Sequence, residues 1–140
     1  MPAIDHMVAA LETFGDVQPV IAEWMIADRS LDHWPRARRL AGFPNAAYFR
    51  AFDFVVSSAG YNSFHELLHF AIPSVFVPIE VSYLDNQLAR ARFAADEGLA
   101  LCLRLNDMKS SPDVVRQMMN PDVRARLSEA CRRTRRPNGA

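Results

Sequence analysis

The sequence predicts an α/β domain: a parallel sheet with helices on both faces. Three observations carry that prediction. Short unbroken apolar runs look like strands buried on both faces, helix-spaced apolar stripes alternate with them, and the connections between them are short and punctuated by proline or glycine. With 140 residues, half of them hydrophobic, the chain has room for one compact domain and not two.

Taken in order, Ile4, Met7, Val8 and Leu11 recur at helix spacing, and an interrupted apolar strand over 17–27 follows them. A short strand is predicted within 36–43 and a short helix over 46–52, after Pro44 and Asn45. The clearest alternation begins at Phe54-Val55-Val56, an apolar strand that ends in Ser57-Ser58-Ala59-Gly60. A helix over 62–71 carries Phe64, Leu67, Leu68 and Ala71 on one face and is stopped by Pro73. Residues 74–77 form a second buried strand closed by Pro78. Leu84, Leu88, Ala91 and Ala95 mark the next helix, which ends at Gly98, and 99–105 supply a further strand. The resulting β-α-β-α-β order implies right-handed crossovers. Residues 111–136 read as two polar helices separated by Asn120-Pro121, with 137–140 as a tail.

Charge and cysteine content exclude several classes. The formal net charge is zero, so nothing in the overall balance attracts nucleic acid. The two cysteines, Cys102 and Cys131, form no CxxC pair, which fits a reducing cytoplasm better than a disulfide framework. No signal-peptide pattern opens the chain, and no apolar run approaches the roughly 18 residues of a spanning helix. The first thirty-odd residues are mostly acidic (Asp5, Glu12, Asp16, Glu23, Asp28, Asp32), whereas Arg124, Arg126, Arg132, Arg133, Arg135 and Arg136 make the end basic. The basic end reads as a solvated helix terminus, with contact to anionic lipid headgroups at the inner membrane face as the alternative.

In an open parallel sheet, ligands bind beyond the carboxyl ends of the strands, which here means residues 57–63. Gly60 can adopt a positive φ and lets backbone approach a ligand, while the start of the following helix carries about half a positive charge. A diphosphate suits that place, with the side chains of Ser58, Asn62 or Ser63 adding hydrogen bonds. Glu66 could accept from a ribose diol, although Ser63-x-x-Glu66 is equally a capping box. Asp85, Asn86 and Gln87 offer donors and acceptors suited to sugar hydroxyls, yet Ser82-x-x-Asp85 can likewise cap its own helix. A rival motif overlaps the same helix: His65-Glu66-Leu67-Leu68-His69 matches HExxH, the zinc-hydrolase pattern. Against it stand the early stop at Pro73, the position of His65 near the helix start, and the lack of a later histidine to complete the site. No metal is expected.

The stretch AFDFVVSSAGYNSFHELL over 51–68, then IPSVFVP over 72–78, then DNQ over 85–87, resembles the C-terminal domain of family 28 glycosyltransferases. That family's pattern is a strand ending in Ser-x-x-Gly, a helix bearing a glutamate, a strand ending in valine-proline, and a loop with Asp-x-Gln. All four parts occur in order, covering roughly 43–105.

The resemblance implies a Rossmann-like domain, the donor half of a GT-B fold, acting without metal or cofactor on a nucleoside-diphosphate sugar. By the same resemblance Gly60 and the N–H groups of Tyr61, Asn62 and Ser63 face the donor diphosphate. Glu66 binds the ribose hydroxyls, Asp85 and Gln87 hold the sugar, and the base lies against backbone near 41–43. The implied reaction is inverting transfer of a hexosyl group, N-acetylglucosaminyl being the first candidate, to a lipid or polysaccharide acceptor. The catalytic base belongs to the acceptor domain, so no catalytic residue is assigned in this chain. Members open this domain with a strand and a second glycine-rich loop, whereas this sequence starts in the helix that would follow them. A partial donor domain over 1–140 is therefore expected, lacking its first strand and needing an acceptor-binding domain or subunit, as in the split enzyme of dolichol-linked chitobiose synthesis. A non-catalytic nucleotide-binding remnant is the alternative.

Overall fold

The computed structural model of the chain describes residues 3–22, 34–40, 46–80 and 85–134. In chain order these form α1 (Ala3–Glu12), β1 (Val20–Ala22), β2 (Arg38–Leu40), α2 (Ala46–Phe49), β3 (Val55–Ser57), α3 (Tyr61–His69) and β4 (Ser74–Phe76). There follow α4 (Gln87–Asp96), β5 (Leu101–Cys102), a 3-10 helix (Leu105–Ser110), α5 (Ser111–Met119) and α6 (Pro121–Thr134). The strands fall into two parallel ladders, β1-β2 and β3-β4-β5, and no ladder joins the two among the described residues.

The central strand β4 explains the layering. Alternate residues of a strand point to opposite faces. Phe76 therefore packs with Phe64, Leu67, Ala91 and Ala94 of α3 and α4, while Val75 and Val77 pack on the other face with Met7 of α1 and Val114, Val115 and Met118 of α5. Helix α6 closes both sides, giving Leu127 to one cluster and Ala130 and Cys131 to the other. Phe76 is wholly buried, and burying such a side chain contributes about 1.5–3 kcal/mol. Helix α1 also turns Val8 toward Ile21 and Trp34, so it packs against both ladders. The predicted α/β layering with helices on both faces is thus observed.

Several predicted boundaries differ. The strand Phe54–Val56 was expected to be buried on both faces, but β3 pairs on one side only among the described residues and is half-buried; full burial belongs to β4. Helix α3 ends at His69, before Ala71, whose φ of +56° cannot continue a right-handed helix. The last strand is shorter than 99–105. Leu103 still donates its N–H to Phe76 O at 2.9 Å, but Leu105 is exposed and opens the 3-10 helix. The strand predicted over 17–27 forms only as β1 at 20–22: residues 17–19 precede it without pairing as strand, and 23–27, like Leu84 and residues 135–140, lie outside the described residues.

Candidate functional site

The carboxyl ends of β3 and β4 each run into a helix, and the candidate site lies where those two helices begin. Helix α3 starts earlier than the capping-box reading required. Its N-cap is Gly60 and not Ser63, no side chain caps it, and the first bond of the helix is Phe64 N–H to Gly60 O at 2.9 Å. Ser63 and Glu66 thus form no box: Ser63 already stands inside the first turn, and the Glu66 carboxylate is exposed and accepts from no described group. The opening N–H groups of the helix, those of Tyr61, Asn62 and Ser63, have no side-chain acceptor among the described residues, and orphan donors of this kind favour an anion.

Gly60 is not in the left-handed region. Its φ of −60° and ψ of 148° suit any residue. A Cβ there would meet only Gln87 Nε2 and Ser58 Oγ, each at 3.9 Å, which is ordinary contact. Neither backbone conformation nor internal packing therefore requires glycine at position 60. What its missing side chain leaves open is the approach to the bare helix end.

The second helix is finished differently. Asn86, rather than Ser82, is the N-cap of α4, and its Oδ1 accepts the Ala89 N–H at 3.1 Å. That commits the Asn86 oxygen to the chain itself and leaves only its amide NH2 to point outward. Gln87 is committed too: its Oε1 accepts Ala59 N–H at 3.1 Å and Ile79 N–H at 3.0 Å, tying the loop after β3 to the loop after β4. Its Nε2 donor stays on the Gly60 side.

One residue of the site was not foreseen. Arg90, one turn into α4, donates from Nε to Ala59 O at 2.9 Å, forms an ion pair with Asp85, and sets its guanidinium carbon 5.9 Å from the centroid of the exposed Tyr61 ring. Helix spacing alone marks Arg90 as a neighbour of Gln87 and Asn86; nothing local signals that it reaches a loop 31 residues earlier.

The structure therefore brings Ser58, Gly60 and Gln87 together at one rim. It joins Tyr61 and Asp85 to them through Arg90, and it places Asn62, Ser63 and Glu66 in the first two turns of α3. The base position proposed near 41–43 and the cap proposed at Ser82 lie outside the described residues. His65 and His69 of the HExxH motif are both exposed, and His65 lies edge-on to Tyr61 at 4.5 Å. No group of three His, Cys, Asp or Glu side chains that could hold a metal ion occurs among the described residues, so the pair lacks a third protein ligand there. An open cavity of about 510 Å³ is lined by Gly15, Gln18, Arg36 and Arg38 at the start of β1 and β2, the end of those strands opposite to where a parallel sheet takes its ligands. Arg36 fills a structural role beside it, donating to the carbonyl oxygens of Glu12, Phe14, Gly15 and Val17.

With this geometry in place, comparison with known proteins is decisive for the family. Residues 42–135 match the glycosyltransferase family 28 C-terminal domain. The chain belongs to that family. Among its relatives is the UDP-N-acetylglucosamine–N-acetylmuramyl-(pentapeptide) pyrophosphoryl-undecaprenol N-acetylglucosamine transferase of Paraburkholderia phymatum. It is 31% identical over 90 residues, which cover 64% of this chain and 23% of that protein. The same transferase from Aquifex aeolicus is 39% identical over 67 residues, covering 48% and 19% of the respective chains. A crystal structure of Acinetobacter baumannii MurG superposes with a TM-score of 0.75 at 19% identity, over 97% of this chain and 43% of that one. The spinosyn rhamnosyltransferase SpnG complexed with thymidine diphosphate gives 0.68 at 21% identity, over 96% and 38%. The chain thus spans about a quarter or less of these curated relatives and under half of the solved neighbours. The fold is that of one part of a GT-B glycosyltransferase, and the family is one of glycosyltransferases.

Proposed function

We propose that this chain binds a nucleoside-diphosphate sugar and serves as the donor half of an inverting glycosyltransferase. The observation that carries the reading is the uncapped start of α3 at Gly60, beside a family match that begins at residue 42 and runs through the site. In this reading the diphosphate lies against the N–H groups of Tyr61, Asn62 and Ser63. The side chain of Ser58 adds a hydrogen bond, and Glu66, which has no hydrogen-bond partner among the described residues, takes the ribose hydroxyls. Asp85, the amide of Asn86 and the Nε2 of Gln87 reach the sugar. N-Acetylglucosamine with UDP is the first donor to try, because the relatives' names specify it, and their acceptor is a lipid-linked one.

The chemistry follows from that placement. An acceptor hydroxyl attacks the anomeric carbon from the face opposite the diphosphate, forming the new C–O bond as the bond to the phosphate oxygen breaks. The hydroxyl proton passes to a base on an acceptor-binding domain or subunit, and the charge that develops on the departing diphosphate falls on preorganised amides. Such donors cost no reorganisation at the moment of reaction, and removing one from a comparable site costs about 2.7–4 kcal/mol of barrier. On this reading the chain binds donor by itself and transfers nothing until the acceptor-binding part is supplied. No described helix is long and apolar enough to cross a membrane; the reading places the chain at the cytoplasmic side, where the basic end of α6 can meet a lipid surface.

Calorimetric titration with UDP and UDP-N-acetylglucosamine tests the reading. Binding is expected, with Glu66→Ala lowering UDP affinity about tenfold, a change of about 1.4 kcal/mol. The same substitution should barely affect 2′-deoxy-UDP, which has no diol. An absence of heat from a demonstrably folded sample would remove the reading.

A further inference from the structure

Arg90 belongs to no motif that the family pattern supplied, yet it makes three contacts at the loop after β3. Its Nε donates to Ala59 O at 2.9 Å, its Nη2 pairs with Asp85, and its guanidinium faces the Tyr61 ring. The Ala59 residue it grips is fully buried, and the N–H of that same residue is held by Gln87 Oε1 at 3.1 Å. Both backbone polar groups of the residue before Gly60 are therefore fixed by side chains one turn apart on α4. This matters for the amides that follow. The direction of an N–H group is set by the peptide plane it belongs to, so whatever holds Ala59 C=O also holds the Gly60 N–H and constrains the entry into α3.

We propose that Arg90 is a positioning residue: its planar fork sets the Ala59–Gly60 peptide and Asp85 in the orientation the donor meets, without touching the donor itself. The inference rests on the reading of this loop as the diphosphate site. Arginine suits the task because its donors lie in a rigid plane and can serve a carbonyl and a carboxylate at once. A lysine ammonium keeps the charge but lacks the fork. With a side chain about one-fifth exposed, the residue can be replaced without opening the core.

The test uses the full chain with Arg90→Gln and Arg90→Lys, and reads two independent quantities. Amide hydrogen exchange without ligand is expected to show at least tenfold faster exchange at Ala59 and Ile79 in both variants, with Val75 in the middle of the sheet unchanged. Titration with UDP is expected to show affinity lowered about fivefold to tenfold in both, with uridine, which has no phosphate, bound as by the unsubstituted chain. Wild-type exchange at Ala59 in Arg90→Gln overturns the inference. So does wild-type UDP affinity in Arg90→Lys, because charge alone would then suffice. If the unsubstituted chain takes up no UDP, it is the donor-site reading that fails, and the exchange data still decide whether Arg90 sets the loop.

Discussion

Helices α3 and α4 start at the same rim of the same sheet, after neighbouring strands, and they are finished in opposite ways. The first turn of α4 is closed by the Asn86 side chain, and its far end turns through Gly98 at φ +72°. Helix α3 opens at Gly60 with no side-chain cap and closes through Ala71, a non-glycine residue at φ +56°. Good caps contribute typically about 1 kcal/mol, and a side chain in the left-handed region costs roughly 1–2 kcal/mol. On both counts α4 is built for stability and α3 is not. The difference teaches where to look for a ligand: of the two ends, the one left unfinished is the one the proposed reading assigns to the donor.

The comparison can be broken most forcefully by giving α3 the cap it lacks. Gly60→Asp places a carboxylate at the N-cap in a backbone conformation that accepts it, and with room for the Cβ. Stability should hold or rise by about 0.5 kcal/mol, through the cap and the helix dipole. UDP affinity should fall at least about twentyfold, because the new charge occupies and repels the diphosphate. Thermal melts and calorimetry together check this, and retained UDP binding would show that the bare end is not where the phosphates lie. The converse change is Asn86→Ala. It should cost about 1 kcal/mol and lower Tm by about 3–5 °C for a chain of this size, while leaving the affinity for UDP itself unchanged.

The far ends give the smallest effects. Gly98 is exposed, and a Cβ there would touch nothing, so Gly98→Ala isolates the conformational cost, about 1 kcal/mol by denaturant unfolding. Ala71→Gly relieves the same kind of strain but removes a buried methyl, worth about 0.8 kcal/mol, and loosens the unfolded chain by about 0.4–1 kcal/mol. The opposing terms nearly cancel, and a change within about 0.5 kcal/mol is expected. A large gain would mean that the Ala71 side chain contributes less packing than its burial implies.

How far the sequence reaches is clear from the same two helices. The alternation β3-α3-β4-α4-β5 was legible because each joint carries its own punctuation: Pro73 ahead of β4, Pro78 after it, Gly98 after α4. The rim on which the candidate site is placed was legible for the same reason, since apolar runs that turn at glycine locate the carboxyl edge of a parallel sheet. The start of α3 was legible to within a residue, 62 against Tyr61, but the caps were not. Ser63-x-x-Glu66 is a sound local signal for an N-cap, but the helix begins three residues before the position that box would give, with Gly60 as its N-cap and Ser63 inside the first turn. Nor could spacing show that β3 is half-buried, because partners across a sheet are not encoded in a strand's own residues. Arg90 was missed because its contact to Ala59 is made by the fold, and in sequence it is one arginine among several on a helix.

Gln87 constrains how the loops after β3 and β4 can move. One carbonyl oxygen receives the amides of both Ala59 and Ile79, so the tips of β3 and β4 share a single fastening. Neither can leave the other without giving up a bond to that oxygen, so a displacement of one is felt by the other. Under the proposed reading, a donor would therefore meet two loops whose spacing is kept by one side chain, and not two that adjust to it independently.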